Sequence, residues 1–188
     1  EADATPLAVR QSAIIGVGAM ASLADAPISE ALYGQLEDGR DQLSRHFALI
    51  SLAGLAVATP DAAPHADDHA RLRRCLRREI AGSGHSRSHR SWAGLAAALY
   101  GRAHPAADAE LRPSLREAFE EENDPSFRGA FALALALVND RGFAPRILSS
   151  LEESHQDDYR GYASEALGLL RHRDAAPALR ELCRDEAV

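Results

Sequence analysis

His65 and His69 stand four residues apart, with Asp67 and Asp68 between them. On a helix that spacing puts two imidazoles on one face beside carboxylates, a feasible metal-ligand geometry. Two ligands do not make a site, so His65 and His69 are weak candidates and the sequence by itself assigns no metal. His85 and His89 repeat the spacing in a Gly/Ser segment that reads as a loop. Cys75 lies between the two pairs, and a joint site of His65, His69, Cys75, His85 and His89 is the widest form of this reading. The plainer reading is a polar loop running into a helix, with Asp67 or Asp68 as its cap.

Other chemistries are narrowed by what is missing. All 21 basic residues are Arg. With no Lys there is no Schiff base, no covalent pyridoxal phosphate and no Walker lysine. No Gly-x-Ser-x-Gly elbow occurs, and Gly16-Val17-Gly18 follows no strand, so it is no dinucleotide fingerprint. No catalytic residue is assigned, no cofactor is expected, and the chain reads as a non-enzyme. Cys75 and Cys183 lie far apart and form no disulfide framework, which fits a reducing, cytoplasmic setting.

Arg71, Arg73, Arg74, Arg77, Arg78, Arg87 and Arg90 make 71–90 the one strongly basic stretch. As a phosphate-facing stripe it would bind nucleic acid. A net charge of -7 opposes that reading. It favours a solvated helix whose arginines pair with carboxylates such as Glu117, Glu120, Glu121 and Glu122.

The elements that must position these residues show a repeat. Arg10, Arg45, Arg90, Arg128 and Arg160 each open a run of small and apolar residues, at spacings of 35, 45, 38 and 32. Self-similarity at this period marks a stacked helical array, in which no unit buries its apolar face alone. Numbered from the Arg, positions 4, 7, 8 and 11 form an apolar arc, so these are inner helices. Between them lie amphipathic outer segments at 27–38, 71–82, 111–122, 143–154 and 175–186, with Pro27, Pro113, Pro145 and Pro177 near their starts. The longest spacing carries two extra loops, 58–69 and 82–89. The prediction is an all-α solenoid of about five antiparallel helix pairs, one domain over 1–188. Neither end looks like a polar capping repeat, so the domain is expected to be a segment of a longer protein. No apolar run reaches membrane-spanning length.

Positions 2, 5 and 9 lie opposite the apolar arc and are small and uncharged. They are expected to line a concave face. Gln11, His46, Ser91, Gly129 and Gly161 at position 2, with Trp92 and Glu165, are the expected contacts to a protein or peptide partner. Phe47, Trp92 and Tyr162 share position 3, as a peptide-binding column or as packing between repeats.

The runs 158–170 (Asp-Tyr-Arg-Gly-Tyr-Ala-Ser-Glu-Ala-Leu-Gly-Leu-Leu) and 174–182 (Asp-Ala-Ala-Pro-Ala-Leu-Arg-Glu-Leu) resemble the short bacterial HEAT repeat. The stretch 124–138 matches next best, and the first three copies match loosely. The resemblance implies an α-solenoid that binds proteins. It also implies an Asp–Arg ladder through Asp41, Arg45, Asp124, Arg128, Asp158 and Arg160. The third copy departs, because no Asp precedes Arg90. One branch of the family is a di-iron hydroxylase with His-Glu ligand pairs; this chain has no such pair. The remaining enzymatic option is a site completed near the 58–90 loops.

Overall fold

The computed structural model describes residues 5–82 and 86–184, with the side chain of Asp108 outside the description. His85 therefore lies outside the described residues. Those residues form ten α-helices and no strand. The Arg-led helices are α1 (Leu7–Met20), α3 (Gln42–Val57), α5 (Arg87–Ala103), α7 (Pro125–Leu137) and α9 (Asp157–Leu169). The others are α2 (Ala26–Asp38), α4 (Ala66–Ala81), α6 (Pro105–Glu121), α8 (Ala144–Glu153) and α10 (Ala176–Arg184). None is long and apolar enough to cross a membrane.

Each repeated Arg is the fourth residue of its helix. Its backbone N–H closes the first helical turn onto the residue four before it: Pro6, Asp41, Ser86, Asp124 or Gln156. Three of those residues also cap with their side chains. Asp41 accepts from Ser44 N at 2.7 Å, Ser86 from His89 N at 3.2 Å and Asp124 from Ser126 N at 3.0 Å. The third copy thus has a cap without an Asp. The Arg side chain leans back toward the helix start, as helical side chains do. There Arg45 Nε donates to Leu36 O at 2.9 Å and Arg90 Nε to Ile80 O at 2.8 Å. Both carbonyls sit in the last turn of the preceding helix and lack an intrahelical donor. In these two copies the Arg is a staple between one helix's start and the previous helix's end.

Helices α7 and α9 end alike. Asn139 (φ 55°) and Arg171 (φ 53°) turn left-handed, followed by short 3-10 turns at Arg141–Phe143 and Arg173–Ala175. Asp140 N bonds Leu135 O at 2.9 Å and His172 N bonds Leu167 O at 3.1 Å, the Schellman pattern.

Successive Arg-led helices pack on one another, α1 on α3, α3 on α5, α5 on α7 and α7 on α9. The second contact of each is chiefly with the helix before it: α2 with α3, α4 with α5, α6 with α7 and α8 with α9. That order explains an asymmetry in the apolar arcs. In α9 the arc Ala163, Ala166, Leu167 and Leu170 is buried, whereas in α1 Ala13 is exposed and Met20 is 82% exposed. Among the described residues no helix precedes α1 to cover it. Helix α6 also begins earlier than its periodicity indicates, so Pro113 stands inside it rather than near its start.

Candidate functional site

The longest connection, after α3, brings together residues far apart in sequence. His69 lies in the first turns of α4 and is completely buried. Its Nδ1 is 3.0 Å from the hydroxyl of Tyr100 in α5. His104, at the α5–α6 junction, crosses the His69 ring edge-on with centroids 4.8 Å apart. Asp61, from the 58–65 loop, completes a group whose ligand atoms all lie within 4.8 Å of one another. Arg73 of α4 sits beside them, 3.2 Å from the Tyr100 hydroxyl and 3.7 Å from Asp61. Burial, the largest influence, lowers the basicity of His69, against the attraction of Asp61. The imidazole is therefore neutral near pH 7, with one ring nitrogen carrying a lone pair.

Of the sequence candidates, His69 enters this group and His65 does not. His65 is the residue before α4 and pairs with Asp68 at 3.7 Å. Asp61 and His104 were not legible as partners. They come from two interhelical connections, and no spacing rule links positions 61, 69 and 104.

His89 belongs elsewhere. Its Nε2 lies 2.9 Å from Glu79 Oε2, both residues buried, and Glu79 also pairs with Arg78 at 2.7 Å. His46 stacks on Trp92 with centroids 5.5 Å apart and lies as close to the His89 ring. Burial first, then the neighbouring His89 and Arg45, pushes the His46 imidazole down to about 4. Cys75 is buried, and that burial pushes its thiol up to about 11, so it is held as an unreactive thiol.

The basic stretch is laced with acidic partners. Arg71 makes a two-pronged pair with Glu30 and lies 3.8 Å over the Tyr33 ring. Arg90 reaches Glu121 at 3.1 Å, Arg87 approaches Glu122 at 3.8 Å, and Arg73 approaches Glu110 at 3.6 Å. Arg74 and Arg77 are exposed.

The strip at positions 2, 5 and 9 corrects the sequence expectation of a concave lining. His46 and Ser91 are each only 4% exposed, and Leu49, Ala53, Gly94, Ala98, Gly129, Ala132 and Ala136 are buried too. Small residues here let the next Arg-led helix approach. A Cβ on Gly94 would sit 2.8 Å from Phe131, and one on Gly129 would sit 2.5 Å from Tyr162. Trp92 is half-buried against His46 and Phe47. Gln11 spends its amide on Asp41 at 3.0 Å. Among the described residues only α9 presents the strip to solvent. Gly161, Tyr162, Glu165, Gly168 and Leu169 are exposed, and nothing lies within 4 Å of a Cβ on Gly161 or Gly168.

The residues proposed for the ladder occupy helix starts. Asp41 links Gln11 to Ser44, Asp158 accepts from Ser126 Oγ at 3.0 Å, and Gln42 donates to Ser86 Oγ at 2.6 Å. These bonds tie adjacent Arg-led helices at their N-termini. Arg128 lies 4.7 Å over the Phe119 ring and 3.8 Å from Glu120; Arg160 lies 3.8 Å from Asp157.

Compared with protein-family models, with curated proteins and with solved structures, the chain matches none.

Proposed function

We propose that the chain is a HEAT-like α-solenoid that serves as a protein-binding scaffold, docking an α-helix of a partner on the open face of α9. The reading rests on one observation. Positions 2, 5 and 9 receive the next helix in the middle of the array, and the same small-residue strip stands open at Gly161 and Gly168. The joint between α7 and α9 is a template for the occupant. There the aromatic ring of Tyr162 fills the space left by Gly129. The occupant is accordingly an amphipathic helix with an aromatic or branched anchor, the helix-in-groove mode of recognition. Tyr162 and Leu169, exposed at 41% and 51%, supply apolar area to the contact, and Glu165 favours a basic residue opposite.

Gly161→Arg combined with Gly168→Arg tests this, since both positions have room for a side chain. Tagged full-length chain is used to capture proteins from nuclease-treated native lysate. The double variant, folded by circular dichroism, is expected to lose a protein that the wild type and Arg74→Glu both retain. Equal capture by all three would reject the α9 face. Capture seen only in a parallel lysate left without nuclease would favour nucleic acid instead.

A further inference from the structure

We propose that Asp61, His69 and His104 form a binding site for a divalent first-row transition metal such as Zn²⁺. The three ligand atoms lie within 4.8 Å of one another. Around a tetrahedral zinc with bonds of about 2.0–2.2 Å, such atoms stand roughly 3.3 Å apart. Closing that gap takes a small side-chain turn, and Asp61 is exposed on a loop where it can make one. Two imidazoles and one carboxylate suit zinc, iron or nickel rather than calcium or magnesium, which take all-oxygen shells.

The second observation is a buried atom with nothing to bond. His69 Nε2 has no hydrogen-bond partner, and the residue is completely buried. Such a group carries a desolvation cost that a ligand would relieve. The surrounding contacts are those that orient metal-binding imidazoles. His104 Nε2 lies 2.8 Å from the Ala56 carbonyl, which can only accept. Nε2 therefore carries the proton and Nδ1 keeps the lone pair. On His69 the Tyr100 hydroxyl sits against Nδ1, which leaves Nε2 for the metal when Nδ1–H donates to it. The competing tautomer has the proton on Nε2, with Nδ1 accepting from the Tyr100 hydroxyl.

Charge is compatible with a cation. Arg73 approaches Asp61 at 3.7 Å but also Glu110 at 3.6 Å and Tyr100 at 3.2 Å. A metal that takes Asp61 leaves Arg73 its other two partners. Three protein ligands do not close the coordination sphere, so water completes it, as in exchange-competent rather than closed sites. The site goes beyond the scaffold reading and does not depend on it.

The experiment uses the whole chain, stripped of metal and titrated with ZnCl₂ against a chromophoric chelator. Wild type is expected to bind one equivalent. Asp61→Asn and His104→Gln are each expected to weaken binding by at least about tenfold, while His65→Gln binds as wild type. Histidine ¹⁵N shifts are expected to show His69 Nε2 losing its pyridine-type signal when Zn²⁺ is added. Failure to bind one equivalent would overturn the proposal. So would unchanged affinity in both Asp61→Asn and His104→Gln with their folds intact, or a His69 Nε2 that is protonated and unaffected by Zn²⁺.

Discussion

His46 shows how burial decides what a side chain can do. Its sequence position suggested a partner contact, and its imidazole instead lies buried against the rings of Trp92 and His89. The groups facing it set the direction of its titration. Desolvation, His89 and Arg45 all disfavour a proton, and Asp41 alone favours one, so the folded value falls from 6.5 to about 4. A folded-state value below the unfolded one stabilises the native state where His46 is neutral in both states. That contribution is complete above about pH 6.5 and is lost as pH falls toward 4. Urea unfolding midpoints are expected to drop between pH 6.5 and 4, and His46→Leu is expected to flatten that drop. His69 shifts the same way, so part of the slope is expected to survive in the variant. An unchanged slope would place the proton elsewhere.

At the scale of the helix, the small residues have two different meanings. Gly129 and Gly161 share position 2, and composition cannot separate them. Gly129 accommodates Tyr162, where a Cβ would meet ring and Cβ atoms at 2.5–2.9 Å. Gly161 faces open space. Gly129→Ala is expected to destabilise by about 1–3 kcal/mol through overpacking against a buried joint. Gly161→Ala is expected to stabilise by about 0.5–1 kcal/mol, because alanine costs less entropy in a helix. Chemical denaturation of the two variants checks the opposite signs, and equal effects would mean that α7 and α9 do not meet as described. The same contrast shows what the sequence carried. The Arg spacing was legible because one residue type recurs at one place, the fourth residue of a helix, where its backbone closes the first turn. The burial of the strip was not legible, since small uncharged residues suit a solvent-facing groove and a tight helix joint equally well. Likewise Asp61 and His104 come together only when two connections converge on α4.

Across the whole molecule, cohesion runs between neighbours. Helix α1 meets α3 and has no preceding helix among the described residues, whereas α5 is covered by α3, α4, α6 and α7. On the proposed solenoid reading, stability is approximately local, a sum of unit and nearest-neighbour terms. The attachment of α1 is polar as well as apolar. Ser51 Oγ donates to Ile14 O at 2.8 Å inside a buried joint, and Gln11 reaches Asp41 at 3.0 Å. Leu23 N donates to Thr59 Oγ1 at 2.8 Å, which holds the turn after α1 against the end of α3. Ser51→Ala removes the first of these and leaves the Ile14 carbonyl with its helical bond only. The loss is expected to be about 1 kcal/mol, felt where the bond is made. Hydrogen exchange resolved by segment is the measurement. Amides of α1 are expected to exchange several-fold faster in Ser51→Ala, with those of α7 and α9 unchanged. Uniform acceleration through all ten helices would show one cooperative unit instead, and a nearest-neighbour array would then be the wrong description of this chain.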